Sequence, residues 1–294
     1  MSTVLSVGNI LIPVLLCVLI GYGLARMKVP YDNKMVGGLV ANVGYPTLIL
    51  SHLEGQHVEL GAFLQMMLAA VAAILCFAAI GFVFLRLARL PARAFLSPMM
   101  LNNVGNVGLP VTSLAFGEKG LAFALAYVVV VMLGLFTVAI WIPMGRATFS
   151  DLVKKPVIYA VLIALVLMGT EARLPVMLDR CFSILGGLAI PLMLLTLGHT
   201  LATLKVGHLV RGAYLAAFHL VVAAAIAVAL GHAFGFDETA RKVFVLQTLM
   251  PVSVATYLWV EAYYPERASE VAGFILISTL LALVSLPTAL ILLG

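Results

Sequence analysis

The sequence predicts an all-α integral membrane protein with ten transmembrane helices, arranged as an inverted 5+5 repeat with broken crossover helices 4 and 9. Three observations indicate this fold: the composition, ten long apolar segments and regularly spaced prolines. Of the 294 residues, 64% are hydrophobic and 10% are charged, whereas about 25% of the residues of a soluble domain are charged. The composition therefore indicates a chain whose surface faces lipid.

Ten segments are long and apolar enough to form membrane-spanning helices, each of which needs about 20 mainly apolar residues. They lie near residues 7–25, 35–53, 61–87, 95–116, 120–144, 153–170, 178–200, 209–233, 241–260 and 270–292. The stretches between them are too short for a separate soluble domain. The first segment has no basic residue before it and no A-x-A cleavage site, so we expect a retained helix and not a signal peptide.

The lysine and arginine residues indicate how these helices are oriented. Most of them lie in the first, third, fifth, seventh and ninth connections, and connections rich in Lys and Arg usually lie on the cytoplasmic side. We therefore expect a multi-pass protein of the cell membrane with both termini extracytoplasmic. The basic residues are dispersed between apolar segments, so the pI of about 9.2 does not indicate nucleic-acid binding.

The prolines indicate an internal repeat. Five pairs of prolines lie 141 to 145 residues apart, which is about half of the chain. The pairs are Pro13 and Pro156, Pro30 and Pro175, Pro46 and Pro191, Pro110 and Pro251, and Pro143 and Pro287. They predict two five-helix units, residues 1–147 and 148–294, and because five is odd, the second unit enters the membrane from the opposite side. Inverted repeats of this kind are typical of secondary transporters.

Helices 4 and 9 carry corresponding interruptions, one in the segment 101–110, LNNVGNVGLP, and one around Pro251. Proline removes a backbone donor and clashes with the carbonyl four residues before it, so we expect both helices to break or kink at mid-depth, around Pro110 and Pro251. The freed backbone groups must face protein or water, and the N-terminus of a half-helix attracts anions. We therefore interpret LNNVGNVGLP as half of a binding site. The alternative is that the prolines only kink the helices and the asparagines bridge neighbouring ones.

Several motifs resemble those of the auxin efflux carrier family. They are Asn103–Pro110 with Phe116-Gly117 and Gly120, Met250-Pro251-Val252, Glu261-Ala262-Tyr263, Ile277–Leu280 and Tyr45–Leu48. The similarity extends over essentially the whole chain and is greatest to the compact bacterial members, which lack the long cytoplasmic loop of the plant members. It implies a scaffold domain and a transport domain, elevator-type alternating access, a homodimer in the bacterial inner membrane, and a small organic anion such as malonate or malate as the substrate.

The resemblance also implies the residues of the substrate site. On the first crossover they are Asn102, Asn103, Asn106 and Pro110, and on the second they are Gln247, Met250, Pro251 and Ser253. Asn42 and Tyr45 precede Pro46 in the second segment, where they either complete this site or only pack against a bent helix.

Enzymatic and metal-binding functions receive little support from the sequence. It contains no P-loop and no G-x-S-x-G motif, so we expect a protein that is not an enzyme and has no cofactor. The segment His52–Glu59 contains metal-ligating residue types without a fixed helical spacing, and we interpret it as an outer loop and not as a metal site.

The coupling ion stays open between Na⁺ and H⁺. No Asp or Glu lies clearly at the centre of a predicted span, which argues against a cation antiporter built on a buried aspartate pair. His219 lies inside the eighth segment, and we expect it to be neutral and hydrogen-bonded to another helix, with a proton relay as the alternative. The alternative functions are a cation/proton exchanger on the same scaffold and a membrane receptor that does not transport.

Overall fold

A computed structural model describes residues 2–53, 58–147 and 153–293 of the chain, and their regular structure is helical. The α-helices are α1 Ser2–Arg26, α2 Asn33–Leu39, α3 Tyr45–Leu53, α4 Leu60–Leu87, α5 Ala92–Met100, α6 Leu109–Phe136, α7 Val138–Met144, α8 Pro156–Thr170, α9 Val176–Gly187, α10 Ala189–Thr203, α11 Leu209–Ala233, α12 Glu238–Thr248, α13 Ala255–Tyr263 and α14 Ala268–Leu293. Two π-helical turns, Val40–Gly44 and Val104–Gly108, precede α3 and α6, and a 3₁₀ turn, Pro265–Arg267, precedes α14.

Six helical stretches of the described ranges are long and apolar enough to cross a membrane. They are Leu5–Arg26, Leu60–Leu87, Val104–Met144, Val176–Thr203, Leu209–Ala233 and Pro265–Leu293. Many large apolar side chains on their outer faces are exposed, for example Leu19, Leu75 and Val284. A protein in water rarely exposes so much apolar surface. The prediction of a helical integral membrane protein is therefore confirmed.

The stretch Val104–Met144 has 41 residues, and at 1.5 Å per residue it would be about 60 Å long, roughly twice the thickness of the hydrocarbon core. It is not one straight helix. Gly117 has φ 62° and ψ −154°. This conformation lies outside the helical region, and residues other than glycine rarely adopt it. The chain leaves α-helical geometry there, between the segments 95–116 and 120–144 that the sequence predicts as separate spans.

The helices form two groups. In one group α1 packs along α10, and α3 packs against α8 and α9. In the other group α4 packs against α5, α6 and α11, while α11 also contacts α12 and α14. The longest run of buried residues in the described ranges is 120–132, where α6 passes through the group that contains α4, α11 and α12.

The two predicted breaks are present, but one has a different position. Helix α5 ends at Met100, and the interruption, here called the first break, covers Leu101–Asn103, upstream of Pro110. Pro110 itself does not break the helix: it is the second residue of α6 and directly follows the π-helical turn Val104–Gly108, a local adjustment that lets a membrane helix accommodate proline. The second break, Leu249–Val254 between α12 and α13, contains Pro251 as predicted.

Candidate functional site

The two breaks pair with each other through their backbones. The Asn103 amide donates a hydrogen bond to the Pro251 carbonyl at 2.6 Å, and the Ser253 amide donates to the Leu101 carbonyl at 3.0 Å. Asn102 and Val252 thereby form an isolated antiparallel bridge. Backbone groups that leave a helix inside a membrane need such partners, because lipid offers none. The pairing therefore explains how two interrupted helices are tolerated at the same place.

Side chains satisfy further backbone groups of the second break. The Val252 amide donates to the Ser278 hydroxyl of α14 at 3.0 Å, so it is not available to the Thr248 carbonyl four residues earlier. Asn102 donates from Nδ2 to that Thr248 carbonyl at 2.7 Å. The Thr256 hydroxyl donates to the Ser253 carbonyl at 2.7 Å. Three side chains therefore satisfy backbone groups between α12 and α13: Ser278 of α14, Asn102 of the first break and Thr256 of α13.

Asn102 also contacts a buried histidine. Its Oδ1 lies 3.1 Å from His219 Nε2 on α11, and both side chains are almost completely buried. The predicted hydrogen bond of His219 to another helix is therefore confirmed. Asn102 uses both ends of its amide for contacts within the protein.

Asn103 and Asn106 differ from Asn102. Asn103 is only 3% exposed, yet its Nδ2 has no hydrogen-bond partner among the residues that the structure describes. Asn106 is half-buried. A buried donor without a partner costs about 1–3 kcal/mol, so the Nδ2 of Asn103 is a candidate contact for a ligand. The helical turn that begins at Val104 adds backbone N–H groups that lack intrahelical partners.

Gln247 joins the second crossover helix to the first. It is fully buried and donates from Nε2 to the Thr112 hydroxyl of α6 at 3.0 Å, while its Oε1 has no partner in the described part of the chain. A methyl group at Gly108 would overlap with this Oε1. Glycine at position 108 therefore permits the close approach of the Gln247 amide.

The structure separates the two predicted residues of the second segment. Tyr45 is buried, and a methyl group at Gly105 would overlap with its hydroxyl, so Tyr45 lies beside the first crossover. Asn42 is exposed and donates from Nδ2 to the Gly38 carbonyl of its own helix at 2.9 Å. The described contacts do not bring Asn42 to the breaks. Met250 and Pro251 are buried within the second break itself.

Sequence reasoning missed several residues of this arrangement. Thr112, Thr248 and Ser278 supply hydroxyl groups to it. Tyr127, which contacts the Thr248 hydroxyl at 3.4 Å, lies in a span that is apolar on all sides, so its hydrophobic periodicity leaves open whether the hydroxyl points inward. The Ile277–Leu280 motif contains Ser278, and its resemblance to the last span of the family could have indicated this residue.

The ion pairs found among the described residues do not involve the two breaks. Glu270 is buried in the first turn of α14 and pairs with Arg211 and with Arg267, whose Nη1 lies 2.6 Å from it; we call these three residues the Glu270 cluster. Within the described ranges, no group of three or more His, Cys, Asp or Glu residues could hold a metal ion. Residues 54–57 of the predicted outer loop lie outside the described residues.

One ion pair connects the ends of the crossover helices outside the membrane segments. Lys119 in α6 contacts Asp237, the N-cap of α12, at 2.8 Å. Partial burial alone would raise the pKa of the Asp237 carboxyl, but hydrogen bonds from the Ala240 amide and the Lys119 ammonium outweigh it and hold this pKa below its usual value. The ionised carboxylate therefore stabilises the start of α12.

A sequence model of the Membrane transport protein family matches residues 7–150 and 141–290. The chain belongs to this family. It is the auxin efflux carrier family that the motifs resemble, so that prediction is confirmed. Among curated proteins, no sequence matches the chain significantly. The broken, paired helices are thus part of a multi-pass membrane transport protein.

Proposed function

We propose that this transport protein is a secondary active carrier of a small organic anion, with a dicarboxylate such as malonate as the leading candidate. The observation that carries the proposal is the buried side-chain Nδ2 of Asn103, which has no hydrogen-bond partner among the described residues and adjoins the paired breaks. Amide N–H groups and half-helix N-termini suit a carboxylate.

The composition of the two breaks, and of the π-helical turn that follows the first, bears on the affinity for an anion. Neither Leu101–Gly108 nor Leu249–Val254 contains Lys or Arg, and bidentate arginine is the strongest carboxylate partner in proteins. Recognition of an anion would therefore rest on neutral amides and backbone N–H groups. We infer a modest affinity, which suits a carrier that must also release its substrate.

The proposed architecture has ten crossings in two inverted units, residues 1–147 and 148–294. The helix lengths support it: each half contains an interrupted segment, 33–53 or 176–203, followed by a long helix, α4 or α11, and then a broken pair. Val104–Met144 is long enough for two crossings separated at Gly117. The positive-inside pattern would place both termini outside the cytoplasm of a bacterial inner membrane.

Elevator-type movement is also part of the proposal. The group that contains α4, α5, α6, α11, α12 and α14 holds both breaks, and it would carry the substrate past the group that contains α1, α3, α8, α9 and α10. The group that contains α1 and α10 would form the scaffold and the contact between the two protomers of a homodimer. Tyr45 would face the moving site from the scaffold.

The test is uptake of labelled malonate into proteoliposomes, with Na⁺ and proton gradients imposed separately and with malate, succinate and indole-acetate as competitors. Dependence on one gradient would identify the coupling ion. The absence of both uptake and anion exchange would refute the proposed substrate class, and cation-driven proton flux would then favour the exchanger.

Asn103→Ala and Asn106→Ala test the location of the site. Loss of a hydrogen bond to a charged group costs about 1.5–3 kcal/mol, so we expect uptake at low malonate concentration to fall roughly 10- to 100-fold. Asn9→Ala is the matched control, because Asn9 is exposed on α1 and should tolerate the change. Unchanged uptake in both crossover variants would rule out this site.

A further inference from the structure

A chain of two buried hydrogen bonds connects α11 with both breaks. His219 Nε2 lies 3.1 Å from Asn102 Oδ1, and Asn102 Nδ2 lies 2.7 Å from the Thr248 carbonyl. Each of the three residues is at most 4% exposed. The chain therefore runs from the middle of α11, through the first break, to the last residue of α12.

The chemistry of the Thr248 carbonyl assigns the hydrogens along this chain. A carbonyl oxygen only accepts, so Asn102 must present its NH₂ group to Thr248 and its oxygen to His219. The amide oxygen also only accepts, so His219 must carry its hydrogen on Nε2. The imidazole thus acts as a donor, and its direction fixes the rotation of the Asn102 amide.

The imidazole of His219 is surrounded by aromatic and apolar side chains and bonds to the polar side chain of Asn102. The imidazole stacks on Phe77 with ring centroids 5.1 Å apart and meets the edge of Phe274 at 6.1 Å. The small space beside it is lined by Met99, Phe218 and Val222 among others. Such an apolar environment disfavours a charged imidazolium, which argues for a fixed neutral donor and against a proton relay.

We infer that His219 is a positioning residue of the candidate site: by holding the Asn102 amide on the Thr248 carbonyl, it keeps the two breaks paired and presents Asn103. The peptide link between Asn102 and Asn103 transmits this effect. The consequence for transport rests on the proposed function, whereas the consequence for the pairing of the breaks does not.

Hydrogen–deuterium exchange of the reconstituted full-length protein measures the pairing directly. The Asn103 and Ser253 amides are bonded across the breaks, so peptides containing residues 101–104 and 250–254 report on it. His219→Phe keeps an aromatic ring against Phe77 but removes the donor, and we expect exchange in both peptides to rise at least roughly tenfold, the effect of about 1.4 kcal/mol.

His219→Gln separates positioning from packing. Its side-chain amide places a donor near the position of Nε2 without the aromatic ring, so the exchange rates should stay within about threefold of the wild type. His232→Phe is the matched control, since His232 is exposed near the end of the same helix. Equal protection in the wild type and His219→Phe, or equal loss in His219→Phe and His219→Gln, would overturn the inference.

Uptake of malonate provides the second measurement. His219→Gln should retain uptake and respond to an imposed proton gradient as the wild type does, while His219→Phe should raise the apparent KM. If His219→Gln keeps the exchange protection but loses proton dependence, His219 carries a proton and the positioning assignment is wrong. If the wild type does not take up malonate, the substrate proposal fails, while the exchange results still decide the role of His219.

Discussion

Gly108→Ala is the sharpest test of how closely the two crossover helices approach. The new methyl group would overlap with Gln247 Oε1 and would lie 2.9 Å from Cδ and 3.0 Å from Nε2, inside normal van der Waals separation. Gln247 is fully buried, so its side chain cannot move aside into solvent. Relief of the overlap must displace the amide and break its hydrogen bond to Thr112.

The two consequences give the expected magnitude. Overpacking of a close-packed interior costs about 1–3 kcal/mol, and loss of the Gln247–Thr112 hydrogen bond adds about 0.5–1.5 kcal/mol. Together they predict a loss of roughly 2–4 kcal/mol of stability. With an unfolding entropy of about 2.1 cal/mol/K per residue, that corresponds in a chain of this size to a decrease in the melting temperature of roughly 3–7 °C, measurable by tryptophan fluorescence in detergent.

Two further variants isolate the cause. Gly23→Ala is the matched control, because a methyl group at Gly23 meets nothing within 4 Å and should leave the melting temperature nearly unchanged. In a Gln247→Ala background the overlap no longer exists, so adding Gly108→Ala should cost little. If Gly108→Ala is harmless in the wild type, or equally harmful in both backgrounds, the proposed contact between the crossover helices is wrong.

Three further outcomes are expected. Asn102→Ala should lower the melting temperature, because it leaves the Thr248 carbonyl without its hydrogen bond from Asn102. Asn103→Ala should not, because it removes a buried Nδ2 donor that has no described partner; thermal unfolding compares the two variants. Gly105→Ala should impair folding or uptake through its overlap with the Tyr45 hydroxyl, and Tyr45→Phe should restore it; lack of rescue would contradict this contact. Replacing both arginines of the Glu270 cluster by alanine should destabilise more than Glu270→Ala, since only the former leaves a buried charge unpaired; equal melting temperatures would contradict this order.

The sequence predicted the class of fold and the approximate location of the breaks for a clear physical reason. Long apolar segments with few charges have few structural options in lipid, and the polar cluster at 101–110 has no place in an ordinary membrane helix. The exact position of the first break was not predictable from Pro110, because a membrane helix can also accommodate a proline without breaking when a π-helical turn precedes it. The break is set instead by the pairing of Leu101 and Asn103 with the second break, which lies about 150 residues away in the sequence.

The individual roles of the asparagines were also beyond the sequence. Asn102 and Asn103 are adjacent and chemically identical, and both are buried to the same extent. Their difference arises because the Val252 amide bonds to Ser278 and leaves the Thr248 carbonyl for Asn102. The contact between Val252 and Ser278 therefore determines that Asn102, and not Asn103, bonds to the end of α12.

The same contact explains why an unpaired amide is stable at this place. The hydrogen bonds of Asn102 and the backbone bridge to Pro251 fix the main chain on both sides of the Asn103 peptide, so Asn103 cannot reach a partner by a local rearrangement without breaking bonds that are already made. The cost of its unpaired Nδ2 is offset by the pairing of the two breaks. A carboxylate that accepted from this Nδ2 would recover that cost on binding, and the site would be organised before its ligand arrived.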